Sequence, residues 1–242
     1  MKKILLLAAL ALGALAVSAQ SVGGGRSSGG NSFFSTEKAD HGVTFGIRGG
    51  LNVAGLSSEA VKGEKNYLSS KSGIGYNAGV NIDIPIVKSM YIQTGLYWTV
   101  KTAKMENSYR SEYHTYKFNP SFIEIPLLAS YRYDLSNNIQ LQVNLGPYFA
   151  YGVAGKFKYG DDNETLFKDT KDKNYKYPKY LNPFDIGIKI GTGITINRFF
   201  VGISYEKGLN NIAHKERYSF ADNWDLQSIK THNFSVNVGY DF

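Results

Sequence analysis

The chain has 242 residues, no cysteine, 26 glycines, 14% aromatic residues and a formal net charge of +7. Without cysteine it can hold no disulfide, no thiolate metal site and no lipid anchor on an N-terminal cysteine. A basic chain can bind nucleic acid, but the export signal at its start argues against that partner and for a surface facing anionic lipid headgroups.

Lys2 and Lys3 precede the apolar run ILLLAALALGALAV, and Val17-Ser18-Ala19 follows it. A positive start, a short apolar stretch and small residues at a cleavage point describe a secretory signal peptide over 1–19, cut after Ala19. The apolar run is too short to span a membrane, which takes about 20 residues. Loss of Lys2 and Lys3 lowers the net charge to +5, 25 basic against 20 acidic residues. Residues 20–41, QSVGGGRSSGGNSFFSTEKADH, are rich in Gly and Ser and predict a flexible periplasmic tail.

From residue 42 to 242 the sequence alternates apolar and polar with a period of two, the mark of half-buried strands. The first strand carries Phe45, Ile47, Leu51 and Val53, and the second Ile74, Tyr76, Val80, Ile82 and Ile84. The third carries Ile92, Leu96 and Trp98, the fourth Ile123, Ile125, Leu127 and Tyr131, and the fifth Leu141, Val143, Leu145, Phe149 and Tyr151. Ile186, Ile188, Ile190 and Ile194 mark the sixth, and Phe199, Val201, Ile203 and Tyr205 the seventh. The eighth carries Phe234, Val236, Val238, Tyr240 and Phe242 and ends the chain. Short turns fall at 85–89, 134–138 and 197–198, and long polar segments at 55–72, 103–120, 153–182 and 210–229. Long and short connections in strict turn predict an all-β, eight-stranded antiparallel up-and-down transmembrane β-barrel with four long extracellular loops and three short periplasmic turns.

A soluble barrel would also alternate, with its apolar face inward. Here the apolar face bears a single charge, Lys207, and the opposite face is crowded with glycines such as Gly46, Gly79, Gly146 and Gly202. A solvated surface carries far more charge, whereas side chains converging inside a narrow barrel must be small. Aromatic residues of the apolar face gather toward strand ends, as interfacial girdles do. The apolar face therefore faces lipid. A barrel in lipid cannot leave a strand edge unpaired, so the last strand must close on the first. Phe234, Val236, Val238, Tyr240 and Phe242 then form an aromatic-ended terminal strand similar to the assembly signal of outer-membrane proteins, which implies the barrel-assembly machinery as a partner.

FIEIPLLASYRYDL (122–135), GPYFAYGVAGK (146–156), FDIGIKIGTGITI (184–196), ISYEKGLNNI (203–212) and the terminal FSVNVGYDF resemble the PorT-type outer-membrane β-barrel family of Bacteroidetes. The resemblance implies the barrel fold over 42–242. One branch of that family is associated with protein export across the outer membrane. No family catalytic or ligand residue carries over.

The polar face holds nine charges: Arg48, Lys101, Arg132 and Lys189 against Asp83, Glu124, Asp185, Glu206 and Asp241. In a lumen this narrow they are expected to pair, since buried charge must be compensated, and no open pore is expected. Barrel hydrolases that modify lipid A set a His beside a Ser near the rim, which singles out His232 with Ser228 or Ser235. His232 and Ser235 have opposite parity and should not meet, so no enzymatic activity and no cofactor are expected. The acidic runs DDNE (161–164) and DNWD (222–225) lack full calcium-ligand spacing. The longest segment, 153–182, interleaves Tyr159, Tyr175, Tyr177 and Tyr180 with seven lysines. Tyrosine offers large contact area at low entropic cost and lysine adds attraction to anions. These four tyrosines are the expected contacts to a partner: outer-membrane lipid, lipopolysaccharide, an envelope protein or a secretion component.

Overall fold

In the computed structural model the described residues are 42–60, 68–109, 112–136, 138–159, 162–172, 175–177, 179–214 and 226–242. The expected signal peptide, tail and DNWD run, and His41, lie outside them. Twelve strands follow one another: β1 (Thr44–Ala60), β2 (Leu68–Val87), β3 (Met90–Val100), β4 (Ala103–Tyr109), β5 (Glu112–Ser136), β6 (Ile139–Tyr159), β7 (Asp162–Thr165), β8 (Thr170–Asp172), β9 (Tyr175–Tyr177), β10 (Phe184–Ile196), β11 (Phe199–Gly208) and β12 (Leu226–Asp241).

Eight of these positions form a closed antiparallel ring. β1 pairs with β2, β2 with β3, β3 with β5, β5 with β6, β6 with β10, β10 with β11, β11 with β12 and β12 again with β1. β4 prolongs the position of β3, lying between β2 and β5, and β7 only folds back along the end of β6. Closure reaches the last residue. Gly46 opposes Asp241, and the Phe242 amide donates to the Phe45 carbonyl at 2.8 Å. Phe199, Tyr240 and Phe242 follow one another in edge-to-face contacts, with ring centroids 5.2 and 5.5 Å apart. The terminal ring thus sits in an aromatic cluster on the wall.

The two faces divide as the alternation requires. Outward residues stay exposed, with Leu51 at 66% and Ile74 at 76%, while inward Asn81 and Glu124 are fully buried. An apolar band of that extent around a closed wall is a lipid-facing surface. The turns are tight: Lys88-Ser89 joins β2 to β3, and Asn197-Arg198 joins β10 to β11. Asn197 takes φ 57°, a left-handed conformation that Asn tolerates better than most residues.

The long connections differ from expectation. Segments 55–72 and 103–120, read as loops, are largely strand: β5 runs 25 residues, more than twice the 9–11 or so that cross a bilayer. The barrel wall continues beyond the lipid as β-hairpins. Segment 153–182 likewise contains the end of β6, all of β7 and a separate two-stranded sheet, β8–β9.

Candidate functional site: a capped and charged lumen

Inside the wall, the inward charges lie in two layers. Toward the short turns, Arg48 reaches Asp241 at 2.7 Å and Arg132 reaches Asp83 at 2.7 Å. Gln93 and Asn81 donate side-chain amides to the same Asp83 carboxylate at 2.9 and 3.2 Å. Two inward aromatics receive the guanidinium groups, Phe200 under Arg48 and Tyr91 under Arg132, each 4.2 Å from the ring centroid. Phe200 can lie flat because Gly193 and Gly202 beneath it have no side chain; a Cβ on either would run into its ring.

Toward the long connections a denser layer forms. The Lys101 ammonium lies 3.2 Å from Asp185, 3.2 Å from Glu206 and 3.6 Å from Glu124. Lys189 lies 2.7 Å from Glu206 and 3.1 Å from Glu124. Thr231 donates its hydroxyl to Asp185 at 2.8 Å, and Asn233 donates to Glu206 at 3.1 Å. Lys101 also sits over the Tyr148 ring, 4.5 Å from its centroid. The nine charges singled out by parity are thus all within ion-pair distance of an opposite partner. Between the layers lies a cavity of about 60 Å³, lined by Arg48, Asn77, Tyr97, Asn144, Lys189 and Glu206 among others. It has room for only a few water molecules.

Above the upper layer the lumen is closed by an apolar cap. Leu56, Ala103, Phe118, Leu166, Leu181, Ile212, Ala213 and Ile229 pack together, joined by Phe167 and Tyr180. Phe167 also reaches down to Phe122, centroid to centroid 5.6 Å, against the cluster of Phe122, Tyr148 and Ala150. Its ring occupies the space a Cβ on Gly152 would take. The cap is tied by backbone bonds: Leu181 donates to the Leu166 carbonyl at 3.0 Å, Asn182 to Ile212 at 2.8 Å, and Ile212 to Ile229 at 2.9 Å. Asn211 Oδ1 accepts from the amides of Ala213 and Ile229, both at 2.9 Å, while Asn210 bonds Ile186 and Phe184 across the base. No sequence pattern marked this cap. Its signal was a few short apolar spots, at Leu166-Phe167, Tyr180-Leu181, Ile212-Ala213 and Ile229, in otherwise polar segments.

Tyr180, expected as a partner contact, is half-buried and packs against the cap. Tyr159 ends β6, and Tyr175 and Tyr177 bound β9, but their side chains lie outside the described residues. Ser235 is buried on the inner face and does not meet His232. The His232 ring instead lies over Gly55 with Nδ1 3.3 Å from Ser57 Oγ, on the outer face. No group of His, Asp and Glu able to hold a metal occurs among the described residues, and the side chains of the DDNE run, 161–164, lie outside them.

A closed ring of antiparallel strands with an apolar outer band and a charged, plugged interior defines an outer-membrane β-barrel protein. Residues 19–214 match the family described as the outer membrane protein β-barrel domain, and the chain belongs to that family. Its localisation is the outer membrane. No curated protein matches the chain. Among solved structures, Neisserial surface protein A is similar at 13% identity, covering 84% of this chain and all of that one, with TM-score 0.42. OprG of Pseudomonas aeruginosa is similar at 12% identity over 85% and 97%, TM-score 0.42. Ail, the attachment invasion locus protein of Yersinia pestis, is similar at 13% identity over 84% and 100%, TM-score 0.35.

Proposed function

We propose that the protein is a sealed barrel of the PorT type whose role is interaction, carried by its outward hairpins. One observation carries this reading: the cap fixes the bases of those hairpins, so that what lies beyond them is presented from a rigid platform. Leu166 and Leu181 are both fully buried in the cap, and β8–β9 lies between them in the chain. The hairpin is closed at its foot by the Lys179 amide, which donates to Asp169 Oδ1 at 3.1 Å. Its short ladder sets Thr170 opposite Tyr177 and Asp172 opposite Tyr175. Two tyrosines and the neighbouring lysines on such a mount suit an anionic or envelope-protein partner.

The test is to replace 170–177 with a Gly/Ser linker of equal length. This leaves Leu166, Phe167, Tyr180 and Leu181 in place, so the barrel should keep its heat-modifiable migration in gels. Binding of the parent to envelope fractions should fall in the variant. If an assembled variant matches the parent in binding, the hairpin is not the interacting element. A loss of secreted protein with unchanged envelope binding would point instead to the export role of the PorT-type branch.

A further inference from the structure

The strand register brings together lysines that are far apart in sequence. Lys104 on β4 opposes Lys117 on β5, and Lys117 opposes Lys158 on β6. Lys156 follows on β6, opposite Asn119. Directly opposed residues share a face of the sheet, with Cβ atoms about 4.5–5.5 Å apart, and like charges so placed destabilise the pairing. Like charges set side by side across β4, β5 and β6 are therefore costly unless something anionic lies against them. Lys104, Lys117 and Lys156 are exposed, and no ion pair is formed by them among the described residues. One carboxylate, Glu106, follows Lys104 at the same parity of β4.

The face is the outer one. Lys117, Asn119, Ser121, Ile123 and Ile125 alternate along β5 without a break, and Ile125 is among the exposed lipid-facing residues. Trp98, Tyr151 and Phe184 form the girdle at the level of Ile123, through the pairs Trp98–Ile123, Ile123–Tyr151 and Tyr151–Phe184. Lys117 lies six residues beyond Ile123, about 20 Å along the strand, or about 15 Å above the girdle for a tilt near 40°.

We infer that this lysine row on β4, β5 and β6 is a binding strip for the phosphate groups of the saccharolipid that surrounds the barrel in the outer leaflet. Lys104, Lys117 and Lys156 point sideways from the wall, in continuity with lipid-facing residues, rather than upward from hairpin tips. What abuts a wall laterally at that height is the sugar-phosphate region of the membrane itself. Lysine suits it as a compact point charge for phosphate. The inference rests on outer-membrane placement and is independent of the β8–β9 hairpin.

The experiment compares the refolded full barrel with a K104S/K117S/K156S variant, both checked for heat-modifiable migration. Each is titrated in detergent with phosphorylated lipopolysaccharide, with the same lipopolysaccharide after chemical dephosphorylation, and with a soluble sulfated polysaccharide. Parent affinity for the phosphorylated form should exceed the variant's by on the order of fivefold for each lysine removed, from a contribution of about 1 kcal/mol per basic residue near an anionic surface. The difference should vanish with the dephosphorylated form, and a variant with Arg at the three positions should bind like the parent. Equal binding by parent and variant, or equal binding of both lipopolysaccharide forms by the parent, would overturn the inference. So would a lysine-dependent affinity for the soluble polysaccharide alone.

Discussion

Lys101 is the least replaceable side chain in the lumen. It is buried among three carboxylates, Glu124, Asp185 and Glu206, with only Lys189 to share them. As ionised groups the upper layer therefore carries three negative charges against two positive. The asymmetry makes a testable contrast. Lys101→Met should destabilise the barrel by about 3–5 kcal/mol, because it strands buried carboxylates. Glu124→Gln removes the surplus charge and should cost clearly less, although it deletes a carboxylate that two lysines contact. Urea unfolding of both variants in lipid vesicles, followed by tryptophan fluorescence, measures the difference. Equal losses would mean that the layer's charge excess is not what Glu124 contributes. The identity of these charges was legible in the sequence, because strand parity alone decides which residues point inward. Their partners were not: Lys101 meets Asp185, 84 residues away, only because of register around the closed ring.

At the scale of elements, the eight lipid-crossing strands were legible because lipid imposes an apolar residue at every second position. Where the wall leaves the lipid, that demand ends and so does the signal. β4, with the sequence AKMENSY, and the first residues of β5, EYHTYKF, alternate too little to be recognised, yet they form a continuous ladder. The cap was illegible for the opposite reason, since its residues are scattered over four connections and only the closed ring brings them together. Phe167 is the joint between cap and lumen, seated on Gly152 with Phe122 edge-on. Gly152→Val should unseat the ring without touching the charges below. The expected result is a barrel that still assembles but whose 153–182 segment is cut faster by added protease than the parent's. Unchanged cleavage would show that Phe167 does not hold the segment in place.

The molecule as a whole is closed twice over. From the long-connection end, a path through the lumen meets first the apolar cap and then, beneath Phe122 and Tyr148, the cross-linked layer of Lys101, Lys189, Glu124, Asp185 and Glu206. Below that lies a cavity of about 60 Å³, and then the Arg48–Asp241 and Arg132–Asp83 pairs. Closures in series have a consequence that a single plug would not. Removing the cap exposes the charged layer to water but leaves its ion pairs made, and buried, hydrogen-bonded pairs hold their geometry far more firmly than exposed ones. The parent barrel should give no steady conductance of porin size in planar bilayers. A Leu166→Asp, Leu181→Asp double variant, which places two uncompensated charges in the cap, should lose the cap yet remain closed. Only adding Lys101→Met to that variant should produce steady current, because it loosens the layer beneath. Current through the double variant alone would mean that the cap is the sole barrier and that the ion-pair layer passes ions.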